Sequence, residues 1–215
     1  MVTAVIPFYN PENIFKKVIE DVLPFVDYLI LVNDGSTVDV NHLIENNSKI
    51  HLITFAINSG KGFALKKGFL EAMVLGSEYI ITLDCDYQHE PVFIPDFIKA
   101  LKTSDFVIGK RNFSFAKMPF MRVLSNTITS KVLSVKTKQK IFDSQSGYRG
   151  FNASILQSIL PETNGFEAES EMILRAANKG IPISFIDIST KYDNQKSSIK
   201  ALSAISNFLK VIIKY

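Results

Sequence analysis

Short, continuous apolar runs alternate with segments of helical periodicity along most of this chain, and few folds accept that pattern. The apolar runs of strand length lie at residues 2–8, 28–34, 49–55, 79–84, 105–110 and 181–189. Helical spacing occurs at residues 11–25, about 38–46, 61–76, 92–101, about 153–160 and about 167–179. Strands that are apolar throughout are typical of a parallel sheet covered by helices on both faces. The sequence therefore predicts an α/β fold with a mostly parallel, doubly wound central sheet.

Composition excludes several classes of protein. The 215 residues suit one α/β domain, and a hydrophobic content of 47% excludes a disordered chain. A net charge of +3 gives no global signature of nucleic-acid binding. The single cysteine excludes an internal disulfide and fits a reducing compartment. We see no signal peptide and no apolar run of the roughly 18–20 residues that span a bilayer, so we expect a cytoplasmic protein.

Two aspartates, Asp84 and Asp86, end the apolar run at residues 79–84, and the amide Gln88 follows. Open α/β sheets bind ligands at the carboxyl ends of their strands. Side chains two residues apart in an extended segment point the same way, so both carboxylates can face one site, whereas Cys85 points away and packs. This oxygen-rich set suits Mg²⁺ or Mn²⁺ bound together with substrate phosphates. The alternative is that Asp84 caps a turn and Asp86 is solvated.

Two other loops carry polar groups at predicted element ends. Asp34 follows the second apolar run, where it could accept hydrogen bonds from a base or ribose; the alternative is an ordinary Asp-Gly turn. Lys61 begins a predicted helix, and a helix N-terminus favours an anionic group. The spacing of glycines matches neither a Walker loop nor the GxGxxG dinucleotide motif, which weakens the interpretation as an oxidoreductase.

Six segments in order carry a family resemblance: IPFYN, VNDGST, NSGKGFALKKG, LDCDYQHEP, GKRN and DSQSGYRGF. The chain resembles family 2 glycosyltransferases of the GT-A fold, especially the branch of dolichol-phosphate mannosyltransferases and bacterial polyprenyl-phosphate glycosyltransferases. The resemblance extends from residue 2 to about residue 200. It implies a Rossmann-like catalytic domain over residues 1–198. It also implies inverting transfer of a hexose from a UDP- or GDP-linked sugar to a polyprenyl (dolichyl or undecaprenyl) phosphate.

The resemblance also implies roles for individual residues. The nucleotide sugar is expected to contact Pro7, Tyr9, Asn10, Glu12, Asp34, Lys61, Asp84 and Asp86. The metal ion, Mg²⁺ or Mn²⁺, is expected to bind Asp84, Asp86 and Gln88. The catalytic groups are expected to be Asp86, Arg111, Arg122, Arg149 and Glu171. Pro11 occupies the position where the family has a glutamate, and Glu12 follows it.

The chemistry of a lipid-phosphate acceptor calls for cations rather than a general base, because a phosphate monoester is already largely anionic at neutral pH. The sequence offers Arg111, Arg122, Lys131 and Arg149, and arginine suits this task through its bidentate fork. The alternative for the basic stretch at residues 110–140 is a solvated surface.

Three further residues have less direct interpretations. Glu171 is the acid of the predicted helix at 167–179 that we expect to act, whereas Glu169 cannot share its helix face and is expected to be exposed. His89 is expected to be structural or to orient a neighbour.

The segment 199–215 has the apolar spacing of an amphipathic helix. It either packs on the domain or lies on a membrane surface, where nearby lysines would meet anionic head groups. Because a polyprenol tail resides in the bilayer, we expect peripheral association at the inner face of the membrane.

Three other functions remain open at this point. The first is sugar transfer to a hydroxyl of a cell-surface polysaccharide, which needs a positioned base. The second is a nucleotidyltransferase, which would release pyrophosphate. The third is a nucleotide-sugar-binding protein without turnover.

Overall fold

A seven-stranded, mostly parallel sheet forms the centre of the protein, as the sequence predicts. A computed structural model describes residues 1–44, 46–111, 120–190 and 201–215, with the side chains of 120–122 and 201–204 left aside. The strands are β1 (Val2–Phe8), β2 (Tyr28–Asn33), β3 (Ile50–Thr54), β4 (Tyr79–Thr82), β5 (Phe106–Arg111), β6 (Arg149–Asn152) and β7 (Ile183–Ile188). Their order across the sheet is β3-β2-β1-β4-β6-β5-β7, and β6 alone runs antiparallel to its two neighbours.

Helices cover both faces of the sheet, which explains why most of its strands are rich in apolar residues. The helices are α1 (Ile14–Val22), α2 (Lys61–Val74), α3 (Ile94–Leu101), α4 (Phe120–Thr137), α5 (Ala153–Ile159), α6 (Ala168–Asn178) and α7 (Ala201–Lys214). Successive side chains of β1 alternate between the faces: Val5 belongs to the apolar cluster that includes α2, α5 and α6, while Ile6 belongs to the cluster that includes α1 and α3. Burial of each such side chain contributes about 1.5–3 kcal/mol to stability.

The prediction of a helix at about residues 38–46 is wrong. In the described part of this segment, which leaves out residue 45, the structure has a short 3₁₀ turn at Asn41–Leu43 and no longer helix. Polar side chains in this segment bind the local backbone instead: Asp39 Oδ1 accepts a hydrogen bond from Asn41 N, and Asn47 Oδ1 accepts one from Lys49 N. Such side chains compete with helical hydrogen bonds, and they outweigh the apolar spacing of the segment.

The C-terminal helix α7 packs on the domain along one face and is exposed along another. Val211 is buried in the core beneath α6. Tyr215 Oη donates a hydrogen bond of 2.9 Å to Glu171 of α6. The opposite face exposes Ile205, Leu209 and Ile213, with exposed fractions of 58%, 51% and 82%. None of the helices in the described residues is both long and apolar enough to cross a bilayer.

Candidate active site

The carboxyl ends of β1, β2 and β4 lie along one edge of the sheet, because these strands are parallel neighbours. The loops that follow β1 and β2 are tied together at Asn10. Its Oδ1 accepts a hydrogen bond of 2.8 Å from Thr37 N, and its Nδ2 donates to Thr37 Oγ1 at 3.1 Å. Pro7 is buried within β1, while Tyr9 beside Asn10 is exposed at the edge, as is Glu12. A nucleotide at this edge would therefore meet an exposed tyrosine ring.

Asp34 organises the loop that leads to Lys61. Its carboxylate oxygens accept hydrogen bonds of 2.8 Å from Ser59 N and Gly60 N, and the residue is 4% exposed. Gly60 has a φ of 100°, and a Cβ there would lie 2.3 Å from the carbonyl oxygen of Asn164. Only glycine fits that position. The interactions that Asp34 makes in this structure are thus with backbone amides, which fix the start of α2.

The N-terminus of α2 does not offer all of its amides to a ligand. Gly62 N and Phe63 N both donate to the carbonyl oxygen of Asn164, at 2.7 and 3.2 Å. The anion site expected from a bare helix N-terminus is therefore occupied in part by the chain itself. The group that the helix does present is the side chain of Lys61.

Lys61, Asp84, Asp86 and Glu169 form a group that we call the lysine–carboxylate cluster. Lys61 Nζ lies 2.7 Å from Asp84 Oδ1 and 2.9 Å from Glu169 Oε1. Burial alone would lower the pKa of Lys61, but these two carboxylates raise it above its ordinary value. The pKa of Asp84 moves down, because the attraction of Lys61 outweighs the effect of burial. Both groups are therefore charged at neutral pH.

Asp86 is the member of the cluster whose negative charge is disfavoured by its surroundings. Burial, and then the neighbouring charge of Asp84, raise its pKa to about 6. Its Oδ1 accepts a hydrogen bond of 3.1 Å from Gln88 N, two residues further along the chain. Two carboxylates so close together repel each other, and a divalent cation relieves that repulsion.

The donor set fits Mg²⁺ or Mn²⁺ in the form expected for a substrate-bound ion. Among the described residues, no group of three or more His, Cys, Asp or Glu side chains is arranged to hold a metal. The set is instead the two carboxylates of Asp84 and Asp86, with the Gln88 amide two residues further along the chain. Such a partial set leaves coordination positions for waters and for substrate phosphates, which is how proteins usually bind Mg²⁺.

Gly147 brings a second loop against the carboxylates. A Cβ at this position would lie 2.5 Å from Asp84 Oδ2. The carbonyl oxygen of Gly147 accepts a hydrogen bond of 2.9 Å from Thr82 Oγ1. The predicted SGYR segment therefore does reach the cluster, and it does so through its glycine.

Arg111 and Arg149 both have buried partners. Arg149 is 2% exposed, and its guanidinium donates to the carbonyl oxygens of Ser144, Ser146 and Glu169 at 2.7–2.8 Å. Arg111 donates through Nε and Nη2 to Asp143 at 2.7 and 2.9 Å. We call Arg111, Asp143 and Arg149 the buried arginine group. The expected contact of Arg149 with an acceptor phosphate finds no support in this placement, because its guanidinium holds backbone instead.

Of the two other predicted catalytic residues, Glu171 lies away from the cluster. Glu171 is fully buried and accepts hydrogen bonds from Glu162 N and Thr163 N, both at 2.9 Å. It anchors the segment after α5 and the end of α7 rather than joining the cluster. The side chain of Arg122, near the start of α4, lies outside the described residues. Lys131 is exposed on the same helix.

The family model of glycosyl transferase family 2 matches residues 3–162. This chain belongs to glycosyl transferase family 2. An undecaprenyl-phosphate mannosyltransferase of Micrococcus luteus is 25% identical, over 86% of this chain and 84% of the relative. A UDP-N-acetylglucosamine–dolichyl-phosphate N-acetylglucosaminyltransferase of Methanococcus voltae is 27% identical, over 89% and 86%.

A solved structure confirms the GT-A fold of this family 2 glycosyltransferase. Glucosyl-3-phosphoglycerate synthase from Mycobacterium tuberculosis, crystallised with Mn²⁺, UDP and glucosyl-3-phosphoglycerate, superposes with a TM-score of 0.75 at 19% identity. The match covers 100% of this chain and 79% of that protein. The resemblance to the polyprenyl-phosphate branch and the predicted fold class are both confirmed.

Sequence reasoning missed the position of Glu169 in this glycosyltransferase. We expected it to be exposed, but it is 8% exposed and bound to Lys61. The two glutamates do occupy different sides of α6, as their spacing predicts, yet it is Glu169 that faces the cluster. The packing of α6 near α2 decides which glutamate faces the cluster. The sequence of the acidic pair does not indicate which of the two it is.

His89 is buried, as expected of a structural histidine. It is 2% exposed, and its ring centroid lies 5.6 Å from that of Tyr148. Burial lowers its pKa to about 4, so the imidazole is neutral at physiological pH. Cys85 also packs, and burial raises the pKa of its thiol to about 12.

Proposed function

We propose that this glycosyltransferase moves a hexose from a UDP- or GDP-linked sugar to a polyprenyl phosphate, with inversion and with Mg²⁺ or Mn²⁺. The observation that carries the proposal is the lysine–carboxylate cluster at the carboxyl edge of the parallel strands. It combines a site for a divalent cation with a fixed ammonium group, which is what a departing diphosphate requires. Two relatives whose names specify a polyprenyl-type phosphate support the choice of acceptor.

The reaction is a single displacement at the anomeric carbon of the sugar. An anionic oxygen of the acceptor phosphate forms the new bond while the bond from carbon to the donor's diphosphate oxygen breaks. Attack opposite to the leaving group inverts the anomeric centre. The phosphate acceptor arrives already ionised, so no proton has to leave the nucleophile.

The residues of the edge bind and orient the donor. Asp84 and Asp86, with Gln88, would hold the cation, which supplies Lewis-acid stabilisation of the charge on the nucleoside diphosphate. Lys61 offers N–H donors toward the same phosphates. Tyr9 presents an exposed ring to the nucleotide. Asp34 holds the loop that positions Lys61.

The carboxylates of the cluster already have partners, which favours an acceptor that needs no general base. A hydroxyl acceptor would require a carboxylate placed to take its proton. Glu169 is bound to Lys61, and Asp86 accepts a hydrogen bond from Gln88 N. For the acceptor, we propose that the exposed side chain of Lys131 binds the lipid phosphate.

The test is a product assay with the full chain. UDP- and GDP-linked hexoses are incubated with Mn²⁺ or Mg²⁺ and either polyprenyl phosphate or sugar acceptors with free hydroxyls. Mass spectrometry should find a hexosyl phospholipid and free nucleoside diphosphate. Products formed only on hydroxyls, or release of pyrophosphate, would contradict the proposal.

We also propose that the exposed face of α7 contacts the membrane that holds the lipid. Ile205, Leu209 and Ile213 are spaced four residues apart, so they form one apolar stripe, and exposed Lys210 lies beside it. Lys210 would meet anionic head groups at the inner face of the membrane.

Flotation with anionic lipid vesicles tests this surface. Replacing all three stripe residues by serine should reduce the floated fraction severalfold while the fold is unchanged, because they do not pack in the core. Val74→Ser, at an exposed valine of α2, serves as the control. Equal flotation of the stripe variant and the wild type would remove α7 from the membrane contact.

A further inference from the structure

The position of Lys61 between two carboxylates has a consequence for metal binding. Lys61 belongs to the start of α2, Asp84 follows β4, and Glu169 lies in the first turn of α6. Three separate elements thus converge on one ammonium group. The side chains of Lys61 and Glu169 are only 16% and 10% exposed, so solvent screens their attraction weakly.

Lys61 and a divalent cation would compete for the same carboxylate. Lys61 Nζ lies 2.7 Å from Asp84 Oδ1, which is full contact. A cation bound to Asp84 would sit only a few ångströms from this ammonium. Two unit charges about 4 Å apart repel by about 1–4 kcal/mol, depending on the local dielectric, and the double charge of the cation doubles that repulsion. The ammonium therefore weakens metal binding as long as it stays on Asp84.

Glu169 offers Lys61 a place to remain when Asp84 turns to the metal. The bond from Lys61 to Glu169, at 2.9 Å, already exists and needs no rearrangement. The backbone at Glu169 is held in place, because its carbonyl oxygen accepts a hydrogen bond of 2.7 Å from Arg149. The buried arginine group thereby connects to the cluster.

We propose that Lys61 is a built-in competitor of the divalent cation at Asp84, and that Glu169 is the positioning residue that holds Lys61 once the cation binds. In the metal-free protein Lys61 neutralises Asp84. In the loaded protein Lys61 stays on Glu169, beside the diphosphate that the cation also contacts. The inference rests on the proposed function for the identity of that diphosphate, but the competition itself concerns only this chain and the metal.

The test measures binding of Mn²⁺ to the metal-free full chain, without donor or acceptor, by electron paramagnetic resonance of the free ion. Lys61→Met should tighten Mn²⁺ binding by about tenfold, because the competing ammonium is gone. Lys67→Met, on the exposed side of the same helix, should leave the affinity unchanged. An affinity in Lys61→Met equal to or weaker than the wild type would overturn the proposal.

A double-mutant cycle separates positioning from simple loss of charge. Glu169→Gln should weaken Mn²⁺ binding severalfold, because Lys61 is then left with Asp84 alone. In the Lys61→Met background the same change should have little effect. This double variant also removes one charge of each sign, so it keeps the charge balance of the cluster if Lys61→Met alone is unstable. A Glu169→Gln effect that persists undiminished without Lys61 would show that Glu169 acts only as a nearby charge.

The outcomes also separate this inference from the proposed function. If Lys61→Met binds Mn²⁺ more tightly but no sugar-lipid product forms, the competition stands and the proposed reaction fails. If the product forms but the affinity does not respond to Lys61, the reaction stands and the competition is contradicted.

Discussion

The lysine–carboxylate cluster and the buried arginine group both consist of charged side chains near the same edge, yet they use charge differently. In the cluster, the side chain of Asp84 is 30% exposed and shares Lys61 with Glu169. In the arginine group, Asp143 and Arg149 are 0% and 2% exposed. Asp143 accepts hydrogen bonds from Arg111, and Arg149 donates to backbone carbonyl oxygens such as that of Ser146. A charged residue in a family motif is therefore not by itself a ligand contact. Its burial and its existing partners decide whether it serves the substrate or the fold.

The comparison predicts that changes in the cluster affect transfer much more than stability. Asp86→Asn should lower the rate of hexosyl-lipid formation by about 100- to 1000-fold, the usual range for loss of one group that stabilises developing charge. Its unfolding in urea should match the wild type or improve on it, since a repelled carboxylate is removed. Asp96→Asn, at an exposed acid of α3, is the matched control and should change neither quantity.

The arginine group should behave in the opposite way. Arg149→Met leaves three buried carbonyl oxygens without their donor, so we expect the free energy of unfolding to fall by about 3 kcal/mol or more. Urea titration followed by circular dichroism measures this loss. Unaltered stability together with weaker binding of polyprenyl phosphate would reverse the assignment and make Arg149 a ligand group.

His89 adds a pH dependence to the stability of the same region. Its pKa is about 4 in the fold, against an ordinary value of 6.5, so the unfolded chain binds the proton more readily between these values. Acidification from about pH 7 to about pH 5 should therefore cost about 2 kcal/mol of stability through this residue. His89→Gln should show a smaller loss over that range, whereas His42→Gln, at an exposed site, should keep the wild-type loss.

The smallest effect concerns the attachment of α7. Tyr215 Oη links Glu171 to Arg175, with both distances 2.9 Å. Tyr215→Phe should lower the free energy of unfolding by about 1 kcal/mol. Tyr9→Phe, at an exposed tyrosine of the donor edge, should not. Equal stability of Tyr215→Phe and the wild type would mean that the hydrogen bonds of Tyr215 do not hold α7 to α6.

Sequence reasoning predicted the strands of the first half within about two residues at their ends, because a strand buried on both faces must be apolar along its length. It gave no indication that β6 is a strand, since Arg149–Asn152 has no apolar run and pairs antiparallel between two other strands. The helix α4 was also missed, because residues 110–140 were interpreted from their charge alone.

In the candidate site, the sequence indicates which polar residues lie at the ends of strands. It does not indicate which side chains or backbone groups they contact. The carboxyl edge brings Asp84 near Lys61 because both positions are set by parallel neighbours. The contact of Lys61 with Glu169 depends on where α6 packs, which no local pattern encodes. The burial of Arg149 contradicts the usual exposure of arginine, and it is possible only because backbone carbonyls satisfy the guanidinium.

In the proposed reaction, Asp84 and Asp86 hold a divalent cation that stabilises the departing diphosphate. The most direct measurement is the rate of hexosyl-lipid formation by the wild type as the metal is removed with a chelator and then restored. We expect the rate to fall to background in the chelator and to recover when Mn²⁺ or Mg²⁺ is added in excess. A full rate of transfer with the metal removed would contradict the claim.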